Sequence, residues 1–520
     1  MGGHDDDVVR TVADLVRRAA RRDPDHLALI ADGTRVSWGE LDERVDRAAT
    51  ALAGLGLAPG DRVVVQLAST PDFPALYCGT LRAGLVAVPA NTAYTAPELA
   101  HLLRDSGARV LVTSSVHVMA AIDRLRADAP ALERVLVAAP SGPDGTLPLP
   151  AVLANAAPDS SAERPPASPE DVAVLGYTSG TSGSPRGAIL SHRALLANLE
   201  QCGSIRPPVI TPADVVLLAI PLFHVYGLNA GLGMLAWAGA TGVLVEHFHP
   251  AGTLELMARH RVTNVPGVPA MYEAWASEPG LANGFASVRL ALSGAAPLPP
   301  AVWRRYAGAG IAVHEGYGLT EASPVLTSTL VSGGPKPGSV GRPIPGVELR
   351  LDGAPGTAED DPDDDGEPGE IVVRGPNLFS GYWPDGTEGP GPDGWWATGD
   401  VAYADDDGDL HLVDRRKDLI LVAGFNVYPA EVEAVLAAHP QVAEAAVLGR
   451  AEPGTSDETV LAYVVTRPGA DLTEAALLDW GAARLARFKL PASVTFVAEL
   501  PHSATGKVSK ARLRAEQPTA

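Results

Sequence analysis

Between Tyr177 and Gly187 the chain packs three glycines, five Ser/Thr hydroxyls and one cation into eleven residues. The segment follows an apolar run, Val172 to Leu175, that reads as a buried strand. Glycine permits close backbone approach, so amides across Thr178, Ser179, Gly180, Thr181, Ser182 and Gly183 can converge on phosphate oxygens. The hydroxyls add donors, and Arg186 adds a planar charged fork. A flexible Gly/Ser linker would not begin on a buried strand and carry one placed cation. The common P-loop is excluded as well, because no Gly-Lys-Ser/Thr closes the segment at its spacing.

Further segments carry groups suited to the same chemistry. Glu315 leads into Gly316-Tyr317-Gly318-Leu319-Thr320-Glu321. Glycine-lined backbone lets a flat base approach, Tyr317 offers a stacking face, and Thr320 and Glu321 end the segment with a hydroxyl and a carboxylate. Mg²⁺ prefers one or two carboxylates plus substrate phosphates, which makes Glu321 a candidate metal ligand. Asp400 follows a Thr-Gly turn and could accept two hydroxyls through its two oxygens. Arg415, Arg416 and Lys417 stand between two aspartates, and Lys507 closes a Ser/Thr/Gly-containing stretch. His224 sits alone among apolar residues in Pro221–Gly227, the setting of a packed core histidine. The two cysteines, Cys78 and Cys202, have no nucleophile context, and no His/Cys cluster has zinc spacing.

Taken together these segments resemble the adenylate-forming superfamily, which holds acyl-CoA synthetases, peptide-synthetase adenylation domains and beetle luciferases; the similarity leans toward bacterial fatty-acid–CoA ligases. Tyr177–Gly187 is similar to its phosphate-binding loop, with one departure: the family usually has Lys where this chain has Arg186. The charge survives and the geometry changes. Gly316–Glu321 resembles the adenine and Mg²⁺ motif, and Ser293–Leu298, with Gly294, Ala295 and Ala296, resembles the other wall of the nucleotide pocket. Asp400 would bind ribose, and Arg415 ribose or phosphate. Lys417 would be the hinge, with Gly424, Phe425 and Asn426 lining a thiol tunnel after the small domain turns. Lys507 matches the C-terminal catalytic lysine; a cation bridging carboxylate and α-phosphate stabilises the charge that builds between them. His224 would border the acid pocket and gate the tunnel, with Tyr226, Met271, Gly294, Gly318 and Pro324 as acyl neighbours.

The resemblance thus implies an ATP- and Mg²⁺-dependent ligase. It would convert a carboxylic acid, a fatty acid in the first reading, to acyl-AMP and pyrophosphate, then to a coenzyme A thioester. Three alternatives stay open: an aryl acid, a different acceptor (a carrier protein, an amine or another small nucleophile), and a non-catalytic nucleotide-binding protein. Oligomeric state is open, a homodimer included.

The elements that must position these residues follow from pattern. At 520 residues more than one domain is expected. Compact strands such as Val63–Leu67, Leu85–Val88 and Arg109–Val112 alternate with helical patterns, which argues for parallel α/β units. Helices are expected over Thr11–Arg22, from Ser37 to about Leu55 with capping-box spacing, and over Thr473–Arg487. The expected fold class is α/β: a large N-terminal domain of doubly wound sheets (1–414) with a small antiparallel or barrel-like part. A small, mobile α+β C-terminal domain (415–520) follows.

Composition narrows the partners. The net charge of −22 disfavours nucleic acid and anionic membranes. Eight acids between Glu359 and Glu370 read as a solvated loop. No apolar run reaches about 18 residues, so no membrane span is expected. Two cysteines suit a reducing compartment, and the expected location is cytoplasmic.

Overall fold

The computed structural model describes residues 9–31, 33–157, 168–178, 185–296, 298–352, 369–413, 420–423, 425–427, 429–452, 455, 457–501, 508 and 513. Two large sheets dominate. In the first, seven strands run in the spatial order Leu147–Pro148, Arg134–Val137, Val110–Thr113, Arg62–Gln66, Val86–Pro89, Val172–Thr178 and Arg186–Ser191. All neighbours pair in parallel except the last two, which form an antiparallel pair with Thr178 opposite Arg186. The strand Arg186–Ser191 was not legible in the sequence, where Gly and Pro obscure its start.

The second sheet has nine strands. Its parallel centre is Leu290–Ser293, Asn264–Gly267, Val215–Leu218 and Thr241–Leu244, joined in parallel by Val313–Gly318 on one side and Leu27–Ala31 on the other. Short Val- and Leu-rich strands buried on both faces are what helix-covered parallel sheets require. One hydrophobic cluster links the two sheets: it joins Val63, Val65 and Val174 of the first to Val216 and Leu218 of the second. Trp38, Leu41, Phe73 and Leu76 of the helices Trp38–Ala53 and Asp72–Arg82 fill it. Each such side chain, fully buried, contributes roughly 1.5–3 kcal/mol.

Local chemistry sets the helix ends. Ser37 and Glu40 complete the capping box that starts Trp38–Ala53. The first helix begins at Asp14, later than expected, because the Asp14 carboxylate accepts the amides of Arg10 and Thr11 and ties the preceding turn.

A four-stranded antiparallel sheet, Glu348–Asp352, Gly369–Arg374, Trp396–Ala404 and Leu410–Val413, is the small β part. From Ile420 onward the chain packs around its own cluster, with Val432, Leu436, Val447 and Leu477 at its centre. It holds the strands Val442–Ala451, Glu458–Thr466 and Ser493–Phe496 and the helices Pro429–Ala437 and Glu474–Ala482. The last helix stops short of the expected Arg487. The chain turns at Ala483, Leu485 and Ala486 fill the core, and a 3₁₀ turn, Arg487–Lys489, follows.

Candidate active site

A cavity of about 620 Å³ opens beyond the C-terminal ends of parallel strands from both large sheets. Pro89, Pro266 and Leu292 mark those strand ends on its wall. The segment Gly316–Glu321 forms another stretch of wall, and Thr178 and Arg186 stand at the paired ends of the two strands that flank residues 179–184. Gly318 must lack a side chain, because a Cβ there would lie 1.9 Å from the Pro324 carbonyl oxygen.

Hydrogen bonds fix the polar side. Tyr317 donates to Oδ2 of Asp400 at 2.7 Å, so the tyrosine ring and the aspartate are held as one unit. Tyr382 donates to Oε1 of Glu321 at 2.6 Å, and Glu321 is buried with its backbone carbonyl accepting from Phe379. Arg186 stacks 3.9 Å over the Tyr382 ring and makes a bidentate pair with Glu388 at 2.8 and 2.9 Å. The hydrogen-bonded Glu388 carboxylate raises the Arg186 pKa further. Arg186, Tyr382 and Glu321 are therefore one connected chain of groups. The buried Glu321 carboxylate, facing the cavity with Oε1 oriented by Tyr382, fits a hard divalent cation that also takes phosphate oxygens.

The opposite part of the wall is apolar. Ile205, Val209, Phe223, Leu228 and Met234 line it. His224 faces this space; its Nδ1 accepts the Tyr226 amide at 3.2 Å, and enclosure in protein pushes its pKa down to about 4. The imidazole is neutral at pH 7. A Cβ at Gly294 would meet the Tyr226 ring at 3.2 Å, so glycine there is what lets the ring lie against the strand end. Cys202 also lines the cavity; burial pushes its thiol, like that of Cys78, up to about 12, which makes both inert.

Several residues expected at the site stand elsewhere. Met271 is packed in the core cluster with Tyr272 and Trp275 and is not on the cavity wall. Glu315 lies behind the wall: its Oε2 accepts the Leu298 amide, and burial raises its pKa to about 7. Ala296 is off the wall, whereas Gly294 and Ala295 are on it. Gly318 and Pro324 line the cavity as expected. Ser179, Gly180, Thr181, Ser182, Gly183, Arg415, Lys417, Gly424 and Lys507 lie outside the described residues, as does most of the acidic stretch 359–370. Phe425 and Asn426 form part of a short strand, with Phe425 on the cavity wall.

Sequence reasoning missed Tyr382 and Glu388, the partners of Arg186, and the trio Glu98, Phe488 and Lys489. Phe488 stacks on Phe425 at 4.6 Å, and Phe488 and Lys489 both line the cavity. The one available signal was a lysine set between apolar residues in Arg487-Phe-Lys-Leu-Pro491, too short a pattern to separate from a surface turn.

Comparison with known proteins gives this arrangement its class. The AMP-binding enzyme family matches residues 16–383 and the AMP-binding enzyme C-terminal domain matches residues 431–507. The chain belongs to this family, the adenylate-forming superfamily, and stands close to its CoA ligases. It is 39% identical to a feruloyl-CoA synthase of Amycolatopsis sp over 96% of this chain and 97% of that protein. It is 35% identical to a long-chain-fatty-acid–CoA ligase of Yersinia pestis over 99% and 95%. The structure of o-succinylbenzoate CoA synthetase (MenE) from Bacillus subtilis, bound with a product analogue, superposes with a TM-score of 0.83 at 27% identity, covering 97% of this chain and 98% of that one. ATP-bound MatB from Rhodopseudomonas palustris, 35% identical with the same coverage, superposes with 0.70. ATP, Mg²⁺ and coenzyme A are the reactants and metal of such ligases.

Proposed function

We propose that this chain is an AMP-forming acid–thiol ligase for a hydrophobic monocarboxylic acid, a fatty acid in the first reading. The observation that carries the acid class is the apolar wall from Cys202 to Met234. Among its described residues the only ionisable groups besides that inert thiol are the neutral His224 and Tyr226, so nothing there would pair with a second carboxylate. The identity to a feruloyl-CoA synthase favours an aryl acid as the second reading.

In this reading ATP lies against Gly316–Thr320, its ribose at Asp400 and its phosphates toward Arg186. Glu321 would hold Mg²⁺, which supplies charge neutralisation at the phosphates. The acid carboxylate attacks the α-phosphorus and pyrophosphate leaves; the protein's contribution is position and charge. Lys507 bridges the reacting oxygens in that step. Residues 1–414 and 415–520 act as two domains joined at Lys417. After the small domain turns, Phe425 and Phe488 border the approach of the coenzyme A thiol, which displaces AMP.

The test is pyrophosphate release against aliphatic and aryl acids, with and without coenzyme A, with products identified by mass spectrometry. One acid class should drive turnover and yield its coenzyme A thioester. Acyl-AMP as the only product in the presence of coenzyme A would overturn the thiol acceptor.

A further inference from the structure

Lys489 is a charged side chain at only 3% exposure, in a 3₁₀ turn of the C-terminal domain. Its Nζ lies 2.7 Å from Oε1 of Glu431, in the same domain, and 3.3 Å from Oε1 of Glu98, in the helix Ala96–Ser106 of the large domain. The Glu98 carboxylate divides its oxygens between the two domains. Oε2 accepts the amide and the hydroxyl of Thr95 at 2.9 Å each, completing the cap of its own helix. Oε1 accepts the Ala486 amide at 2.9 Å and faces the ammonium. Tyr94, one turn before, places its ring 5.3 Å from the same Nζ. The residue next to this lysine, Phe488, stacks on Phe425, and both rings line the cavity. Whatever fixes Lys489 therefore fixes the aromatic pair at the cavity.

Resting on the two-step reading above, we propose that Glu98 is a positioning residue for thioester formation: its Oε1 docks the Lys489–Ala486 turn and so holds the small domain in the arrangement that presents Phe425 and Phe488. One observation separates this from an ordinary buried ion pair. Lys489 already has Glu431 within its own domain, so Glu98 is not needed to neutralise it when the domains part. The contact can break and re-form without orphaning the cation.

The experiment is Glu98→Gln in the full chain. Glutamine can still accept from Thr95 through its one carbonyl oxygen, but it then turns an amide toward the Ala486 N–H and the ammonium. Acyl-AMP formation without coenzyme A should stay within about twofold. Thioester formation should slow roughly ten- to a hundredfold, the range for a lost charge-assisted hydrogen bond. Hydrogen exchange at the Ala486 amide, followed without ligands, should quicken while exchange in the helix Ala96–Ser106 holds. Thr95→Ala, which weakens only the cap, should slow neither step selectively. Equal slowing of both steps by Glu98→Gln, with faster exchange along the helix, would make Glu98 a cap alone and overturn the proposal. Unchanged thioester formation with unchanged Ala486 exchange would overturn it too. If the wild type forms acyl-AMP but no coenzyme A thioester with any acid, the ligase reading fails instead, and Ala486 exchange alone decides the contact.

Discussion

Arg186 and Lys489 both line the cavity and both hold carboxylates, yet they sit in different media. The Arg186 side chain is 23% exposed and its partner Glu388 is 67% exposed. The Lys489 side chain is 4% exposed, against 8% for Glu431 and 9% for Glu98. Water competes for the first pair, so exchanging Glu388 for a phosphate oxygen costs little. While the small domain stays docked, no water replaces a partner lost from the second. Burial lowers the Lys489 pKa, but the carboxylates of Glu431 and Glu98 outweigh it, and the net shift is upward, so the ammonium keeps its proton. The difference teaches that a cation near a reaction centre is exchangeable or fixed according to its solvent, not its type. The first suits a group that must meet a substrate. The second suits a joint.

The largest expected effect follows from removing the fixed cation. Lys489→Met leaves two buried carboxylates uncompensated, which costs about 3–5 kcal/mol. In calorimetry of the full chain a transition should move to lower temperature, and an unmoved profile would mean that Glu98 and Glu431 are solvated after all. Next comes Arg186→Ala. It would remove the phosphate contact proposed above and should lower kcat/KM for ATP about ten- to a hundredfold, with thermal stability nearly unchanged. A variant that loses stability but keeps its ATP dependence would put Arg186 in the same structural class as Lys489.

Smaller still is Glu388→Gln, which breaks an exposed pair worth under about 1 kcal/mol. Its thermal midpoint should barely move and its KM for ATP should fall or stay constant; a rise would mean that Glu388 aims Arg186 and does not merely occupy it. The smallest effect is a null one at His224. Its folded pKa of about 4 lies below the ordinary 6.5, so the folded state resists the proton. Stability is lost as pH falls from 6.5 through 4, and the ring stays neutral above that window. The pH profile of acyl-AMP formation should show no inflection near 6.5 that His224→Asn removes. An inflection that vanishes in the variant would show that the cavity solvates the imidazole freely.

Much of the site was legible because its chemistry is local. Gly316–Glu321 and Thr398–Asp400 are contiguous motifs, and the structure joins them through the Tyr317–Asp400 hydrogen bond. The capping box at Ser37 and the parallel α/β alternation were equally readable, since both depend on spacing within one element. Met271 and Glu315 stand off the cavity wall for the opposite reason: which way a side chain faces is set by what packs against its element. Tyr382 and Glu388 left no trace, because their significance lies wholly in meeting Arg186 from about two hundred residues away.

By itself, then, the sequence determined the family, the α/β class and the glycine-rich and acidic segments suited to a nucleotide. These are properties of residue type at short spacing. Only the tertiary structure decided which charges are buried and what they face. Arg186 became a partly exposed, exchangeable cation and Lys489 a buried one bridging two domains because solvent exclusion and contacts between distant segments arise only when the sheets and the small domain close around them.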